Sequence, residues 1–236
     1  PKGKVLLIDS GPEQSGKKVE SYLKYKGKRQ VDLAVVSHPH EDHIGGLIDL
    51  IEAGYPVKAV MWQVPDHLED DYVFRLTKLC KANKIPIYKG YTGNEVRIDD
   101  VCLQVLWPYK DADYSNANEA SLVCVLKYGE FEELFTGDIG FATEKYLEND
   151  LGDLEILKVP HHGSSYSSSS KFLEKLSVEY GMISAGVRNL YGHPNRLTLE
   201  RLKEQQIEIM RTDIQGALFV RTDGKQYTVQ SQIQEE

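Results

Sequence analysis

The stretch SHPHEDHIGG, residues 37–46, places three histidines and two acidic residues within six positions. It follows VDLAVV, an apolar run typical of a buried strand, and leads into IGGLIDLIEAG, whose spacing predicts a helix that ends at glycine. In an extended segment, residues two apart point the same way, so His38 and His40 share one side. Asp42 and His43 follow where the chain turns toward the helix. Two such pairs predict a site for two metal ions.

The composition limits the remaining possibilities. The chain has 236 residues, 41% of them hydrophobic, and a formal net charge of −8, so we expect a single domain over residues 1–236. The acidic balance argues against a broad basic surface that binds duplex DNA, although bound metal ions would add positive charge at a local phosphate site. The three widely spaced cysteines predict buried apolar positions rather than metal ligands. No segment is long and apolar enough to predict a membrane helix.

Predicted strands and helices alternate along most of the chain. The apolar patterns predict helices in GKKVESYLKYKG, DDYVFRLTKLCKAN, GFATEKYLEND, KFLEKLSVEYG and LTLERLKEQ. From IPIYKG to FEELFTGD the segments are short and separated by turns, which predicts antiparallel strands. The order predicts an α/β (α+β) fold in which two mixed β-sheets are covered by helices on both outer faces, an αββα sandwich.

Three later segments place polar residues after predicted strands. LFTGD ends with Asp138, and LKVPHHGS carries His161 and His162. Because adjacent side chains diverge, we expect one of these two histidines to bind metal and the other to orient it or to contact substrate. His193 lies in AGVRNLYGHPN, after a strand expected to end at the same rim, where it would contact a phosphate or protonate a leaving oxygen.

Weaker candidates for substrate contact lie beside these segments. Arg188 and Tyr191 belong to the same loop as His193, and either side chain would suit a phosphate. Ser164 opens the serine-rich loop that precedes a predicted helix N-terminus, a position that favours anions. An ordinary polar loop also accounts for the serines.

The HxHxDH order after a strand resembles the signature of the metallo-β-lactamase fold hydrolases. LLIDSGP, LFTGD and LKVPHHGS stand in the order typical of that family. The resemblance implies that Asp138 bridges two divalent ions and that Asp9, at the end of the first strand, orients a ligand. It also favours His162 over His161 as the metal-binding member of the pair.

The same resemblance implies a division of the ligands between two ions that share Asp138. The first ion is assigned to His38 and His40, and the second to Asp42, His43 and His162. Many members of the family give the first ion another histidine before the bridging aspartate, but between His67 and His161 this chain has none. Asn118 in NEAS matches that position and is the expected weak ligand, with Ser121 as a less favoured choice. A site poorer in nitrogen leans from Zn²⁺ toward Mn²⁺.

The combination NEASLVCVLKYG, LFTGD, LKVPHHGSS and YGHP resembles, more narrowly, the hydrolase domain of ComEC-type competence proteins. The resemblance runs from Val5 to about Thr222. It implies a phosphodiesterase that degrades single-stranded DNA during DNA uptake. That family usually begins with another strand carrying a DVGQGD-like segment, and its absence here predicts that the chain lacks its first N-terminal strand.

Three functions follow as alternatives. The first is a nuclease for single-stranded DNA in which Asp42 and His193 take part in catalysis. The second is a hydrolase of small phosphoesters, lactones or other esters, because one fold hosts many substrates. The third is a metal-binding module without catalysis. If the chain belongs to a membrane competence protein, fused or docked to its channel, we expect it at the extracytoplasmic face; otherwise we expect it in the cytoplasm.

Overall fold

The computed structural model describes residues 3–64, 69–110, 114, 116–147 and 151–233, and His67 lies outside them. The chain forms two compact units, which are described in turn. The first unit comprises Pro1–Thr92 and Pro108–Leu122, and the second comprises Gly93–Trp107 and Val123–Glu236.

The first unit alternates strands and helices. Its elements are β1 (Leu6–Ile8), α1 (Gly16–Tyr25), β2 (Leu33–Val36), α2 (Glu41–Glu52), β3 (Val60–Trp62), α3 (Asp71–Ala82) and β4 (Ile87–Lys89). The strands form one sheet in the order β1-β2-β3-β4, and each described pair is parallel. The core is built from β2 and β3 together with the apolar face of α2, which contributes Ile44, Leu47 and Ile48.

The parallel pairing corrects two expectations. We predicted that both sheets would be mixed, but the described strands of this sheet all run the same way. We also predicted that IPIYKG would belong to an antiparallel sheet, whereas β4 pairs with β3 in parallel. The reason is the crossover: a helix between two neighbouring strands returns the chain to the starting edge, which makes the pair parallel.

The second unit contains a seven-stranded sheet with helices and a separate hairpin. Its elements are β5 (Glu95–Ile98), β6 (Val101–Trp107), β7 (Val123–Tyr128), β8 (Phe131–Phe135), α4 (Phe141–Leu147), β9 (Asp153–Lys158), α5 (Ser170–Leu173), β10 (Ser177–Ile183), α6 (Arg196–Glu204), β11 (Glu208–Arg211), α7 (Thr212–Gln215), β12 (Leu218–Thr222) and β13 (Tyr227–Ser231). The sheet order is β11-β10-β9-β8-β7-β6-β5. This sheet is mixed, as predicted: β5 to β8 pair antiparallel, and β8 to β11 pair parallel.

One helix prediction in this unit is wrong. KFLEKLSVEYG was expected to be helical throughout, but α5 ends at Leu173 and β10 begins at Ser177. The segment SVEYGMI pairs in parallel with β9, with Val178 opposite Leu154. The alternation of polar and apolar residues in SVEY is compatible with a strand, and sheet pairing outweighs the local helical preference.

The hairpin of β12 and β13 covers an apolar patch of the larger sheet. Its side chains from Leu218, Val220, Tyr227 and Val229 pack against a cluster that includes Phe131 and Ile156. Glu133 lies two residues beyond Phe131 in β8, so it points to the same face. Burial there raises the pKa of the Glu133 carboxyl to about 7.

The neighbouring parallel strands β8, β9 and β10 place their carboxyl ends at one edge of the second unit's sheet. The segments after these ends carry Asp138, the pair His161–His162 and the loop Gly186–His193. In the part of the chain that the structure describes, no helix combines the length and the apolar character needed to span a membrane.

Candidate functional site

The loop after β2 gathers three histidine rings in the first unit. His38 is 1% exposed, and its ring centroid lies 4.6 Å from that of His40 and 4.1 Å from that of His43. His40 is the N-cap residue of α2, so Asp42 and His43 lie in the first turn of the helix rather than before it. The gathering predicted from HxHxDH is confirmed for these histidines, with a helical turn setting the spacing of the last two ligand candidates.

Asp9 holds this loop from the end of β1. Its Oδ1 accepts a hydrogen bond from the Ser37 amide (2.7 Å), and its Oδ2 accepts one from the Ser37 hydroxyl (2.7 Å). Oδ2 also lies 2.7 Å from Nδ1 of His43. Burial alone would raise the pKa of Asp9, but the positive charge of His43 and the hydrogen bonds from His43 and Ser37 outweigh it and lower the pKa. Asp9 is therefore an ionised acceptor, and Nδ1 of His43 donates to it.

The hydrogen bond at Nδ1 fixes the orientation of Nε2, the other ring nitrogen of His43. A histidine that donates from one ring nitrogen to a carboxylate presents the other nitrogen to a metal ion in a fixed orientation. Nε2 lies 3.8 Å from the Asp42 carboxylate, so a nitrogen and an oxygen ligand sit side by side. This geometry supports the role predicted for Asp9.

Gly45 and Gly46 serve close packing rather than a turn. Both lie within α2 and are buried. A Cβ on Gly46 would lie 2.1 Å from the carbonyl oxygen of Ser10, and one on Gly45 would lie 2.5 Å from the amide nitrogen of Glu13. Without side chains, the two glycines let α2 lie directly against the segment that follows β1.

Asn118 lies in a turn just before a residue whose backbone is hydrogen-bonded to the loop that carries His38. The Leu122 amide donates to the carbonyl oxygen of Ser37 (2.7 Å), which ties the NEASL segment to the residue before His38. Oδ1 of Asn118 is buried and accepts no hydrogen bond from the described residues. An amide oxygen in this position is available as a weak ligand, while Ser121 is fully buried.

In the second unit, Asp138 faces both histidines of the HH pair. Asp138 is 3% exposed, and its Oδ2 lies 3.7 Å from Nε2 of His161 and 3.6 Å from Nε2 of His162. Both histidines have positive φ, 50° and 54°, a conformation that few residues other than glycine adopt. This left-handed turn aims both rings at the same carboxylate, so the expected divergence of adjacent side chains does not occur here.

The hydrogen bond on the far side of His162 distinguishes the two rings. Nδ1 of His162 lies 2.7 Å from the carbonyl oxygen of Ser184. A carbonyl oxygen only accepts, so Nδ1 donates this hydrogen bond, which orients Nε2 toward Asp138. This supports His162 as the ligand, the assignment favoured from the sequence.

His193 lies against His161 with its ring centroid 5.8 Å away. Its Nδ1 is buried and makes no hydrogen bond with the described residues. Burial lowers the pKa of His193, with a further contribution from the charges of His161 and His162 that Asp138 opposes. The structure therefore places His193 beside the HH pair, as predicted.

The three weaker substrate candidates fall in different environments. Tyr191 is exposed and stacks on His193 with centroids 6.0 Å apart, and Arg188 is exposed in the same loop. Ser164 departs from the prediction: it is 4% exposed, and its hydroxyl accepts a hydrogen bond from the Tyr166 amide. The loop folds Ser164 inward, where it supports the loop rather than a substrate.

Two residues that brace the serine loop were missed from the sequence. Glu144 of α4 is fully buried and accepts hydrogen bonds from the amides of Ser168 and Ser169. Arg201 of α6 donates to the carbonyl oxygens of Ser165, Ser167 and Ser168. Only the position of Glu144 on an otherwise apolar helix face could have signalled this role.

Each unit thus offers donors that suit a divalent ion. Imidazole nitrogens with the second nitrogen already hydrogen-bonded, next to carboxylate oxygens, are ligands typical of Zn²⁺ and compatible with Mn²⁺. The residues present fit such ions in donor type and in preset orientation. They do not discriminate between the two metals.

Comparisons with known proteins agree with these observations. The family model for the metallo-beta-lactamase superfamily matches residues 1–187. "ComE operon protein 3" of Bacillus subtilis is 28% identical over 203 residues, which cover 85% of this chain and 26% of that protein. "Competence protein ComA" of Neisseria gonorrhoeae is 28% identical over 229 residues, covering 90% of this chain and 28% of that protein. The chain therefore spans about a quarter of the length of these curated relatives.

A solved structure supports the fold. The metallo-beta-lactamase fold protein YhfI from Bacillus subtilis superposes with a TM-score of 0.55 at 12% identity, over 89% of this chain and 85% of that one. The predicted fold class and the resemblance to the hydrolase domain of ComEC-type competence proteins are confirmed. Membership implies a metal-dependent hydrolase, and with 187 of its 236 residues matched by the family model, this chain belongs to the metallo-β-lactamase superfamily.

Proposed function

We propose that this chain hydrolyses phosphodiester bonds of single-stranded DNA with the help of two divalent ions. The observation that carries the proposal is the way two histidines are preset: Asp9 fixes His43 and the carbonyl of Ser184 fixes His162. In both rings the other nitrogen, Nε2, faces a carboxylate, of Asp42 or of Asp138. Residues held in this way before any ion binds are typical of metal ligands.

The assignment of ligands follows the family resemblance. His38, His40 and Asp138, with Asn118 as a weak ligand, are proposed for one ion. Asp42, His43, Asp138 and His162 are proposed for the other. Two divalent ions, when bound, neutralise charge on a phosphoryl group and lower the pKa of water.

The protein's own residues would then act on the strand. Asp42 is proposed to hold the attacking water and accept its proton. His193, which lies beside the HH pair, is proposed to donate a hydrogen bond to the phosphoryl group or a proton to the leaving oxygen. The pH dependence of the cleavage rate would distinguish these two roles of His193.

The preference for DNA rests on the relatives. Two of them carry the names "Competence protein ComA" and "Recombination protein 2", which are consistent with a protein that acts on DNA. A fusion or a docking partner in a membrane channel, and with it an extracytoplasmic location, is part of the same proposal. The net charge of −8 favours contact with the strand that is confined to the site.

The test compares substrates and a matched pair of variants. Protein loaded with Mn²⁺ or Zn²⁺ should bind about two equivalents of metal and should cleave labelled single-stranded DNA faster than duplex. Asp42→Ala should abolish cleavage. Asp71→Ala is the control, because Asp71 occupies the first turn of α3 as Asp42 occupies that of α2. Turnover of bis-p-nitrophenyl phosphate without cleavage of any strand would favour the small-ester hydrolase, and bound metal without turnover of either would favour the binding module.

A further inference from the structure

The loop Gly186–His193, here called the Tyr191 loop, exposes three apolar side chains together. Val187 is 73% exposed, Leu190 is 100% exposed and Tyr191 is 83% exposed. Arg188 lies among them and is also exposed. Apolar side chains concentrated on one short polar-flanked loop are typical of a contact surface for a ligand.

The side chain of Asn189 helps to hold the Tyr191 loop in shape. Nδ2 of Asn189 donates to the carbonyl oxygens of Gly186 (3.0 Å) and His193 (2.6 Å). The amide of His193 donates back to Oδ1 of Asn189 (2.9 Å). Three hydrogen bonds across eight residues mean that the exposed side chains are presented by a preformed loop, which lowers the entropic cost of binding.

A row of rings connects this surface with the HH pair. His161 contacts His193 edge to face, with centroids 5.8 Å apart and an interplanar angle of 72°. His193 then stacks on Tyr191 at 6.0 Å and 21°. One face of Tyr191 is therefore occupied by His193, and its high exposure shows that much of the ring remains open to solvent.

We propose that Tyr191 is the stacking platform for a nucleobase next to the scissile phosphate, with Arg188 contacting the strand beside it. This inference rests on the proposed function and names the part of the strand that is recognised. An exposed aromatic ring stacks with any base regardless of sequence, and a nearby guanidinium suits both a base and a phosphate. Bases inside a duplex are already stacked on their neighbours, so such a platform would select single strands.

The test distinguishes binding to the bases of the strand from binding to its sugar-phosphate backbone. Fluorescence anisotropy would follow the binding of two labelled strands of equal length, oligothymidine and an abasic analogue, to the whole chain with chelator present to prevent cleavage. We expect Tyr191→Ala to weaken binding of oligothymidine by about 5- to 150-fold and to leave binding of the abasic strand unchanged. Tyr191→Phe should retain the wild-type preference, because it keeps the ring.

Tyr25→Ala is the matched control, because Tyr25 of α1 is also 83% exposed; it should bind both strands like the wild type. Equal affinity of the wild type for the two strands, or equal loss on both in Tyr191→Ala, would overturn the platform. Cleavage with added metal is measured separately. Base-dependent binding without cleavage would refute the nuclease activity and support Tyr191 as the stacking platform. If Tyr191→Ala changes neither cleavage nor binding, the stacking role of Tyr191 is refuted and the nuclease activity is supported.

Discussion

Oδ2 of Asp9 and Nδ1 of His43 lie 2.7 Å apart, although the two residues are separated by 34 positions in the chain. Ser37, the residue before His38, donates both its amide and its hydroxyl to the same carboxylate. One acid therefore fixes the strand end and the helix start that carry the candidate ligands. Its removal should affect metal binding more than folding.

Asp9→Asn should weaken metal binding by about 10- to 100-fold, since the neutral amide orients and polarises His43 less strongly. Isothermal titration with Zn²⁺ measures the affinity. Asp32→Asn serves as the control: Asp32 accepts a hydrogen bond from the Val5 amide and pairs with Lys58, and it should leave metal affinity unchanged. Equal affinity in wild type and Asp9→Asn would show that Asp9 is only structural.

Gly46→Ala should destabilise the protein by about 1–3 kcal/mol or more, because the added methyl group meets the Ser10 carbonyl and α2 must move away. Thermal unfolding followed by circular dichroism measures the change. Gly152→Ala is the control, since no atom of the residues that the structure describes lies within 4 Å of its added Cβ. A Gly46→Ala variant as stable as Gly152→Ala would contradict the close packing of α2 on Ser10.

Glu133→Gln should change the pH dependence of stability. The pKa of Glu133 is about 7 in the folded state and about 4.3 in the unfolded state. The carboxyl therefore stays protonated to a higher pH in the folded protein. Stability is therefore lost as pH rises from about 4.5 to 7 and levels off above that range. Glutamine cannot ionise, so the variant should lack this loss and should be more stable than the wild type at pH 8, on the order of 1 kcal/mol or more.

Urea unfolding at several pH values measures this effect. Glu130→Gln is the control, because Glu130 is exposed in the turn just before β8. Parallel stability curves for Glu133→Gln and the wild type between pH 5 and pH 8 would refute a Glu133 carboxyl that retains its proton in the folded state.

Glu144→Ala should destabilise the second unit by about 1–3 kcal/mol, because the amides of Ser168 and Ser169 would lose their buried acceptor. The urea midpoint reports the loss. Glu174→Ala removes an exposed glutamate just after α5 and should stay within about 0.5 kcal/mol of the wild type. Similar midpoints for the two variants would mean that the serine loop does not depend on Glu144.

The sequence predicted the ligand candidates because strand ends and histidine spacing are local features. VDLAVV followed by HxHxDH placed His38, His40 and His43 together, and the structure agrees. The role of Asp9 came from family resemblance alone. Nothing local shows that the end of β1 meets a helix 34 residues later.

The errors came from contacts between distant segments. SVEYG lies next to a helix and reads as its continuation, but pairing with β9 makes it a strand. The rings of His161 and His162 converge because both residues adopt the left-handed backbone conformation, which the residue type histidine does not predict. Ser164 was misjudged and Glu144 was missed because the interior position of the serine loop depends on Arg201, which lies 33 to 36 positions beyond the serines that it contacts.

Three neighbouring parallel strands, β8, β9 and β10, each end in a segment with a different duty. Asp138 follows the first, the HH pair follows the second, and the Tyr191 loop follows the third. The hydrogen bonds of Asn189 join the two ends of the Tyr191 loop. Other residues of this loop can therefore be substituted without altering β10. Substitutions at Val187, Arg188, Leu190 and Tyr191 could therefore change the substrate preference, provided that Asn189, which also holds the backbone of His193, is kept.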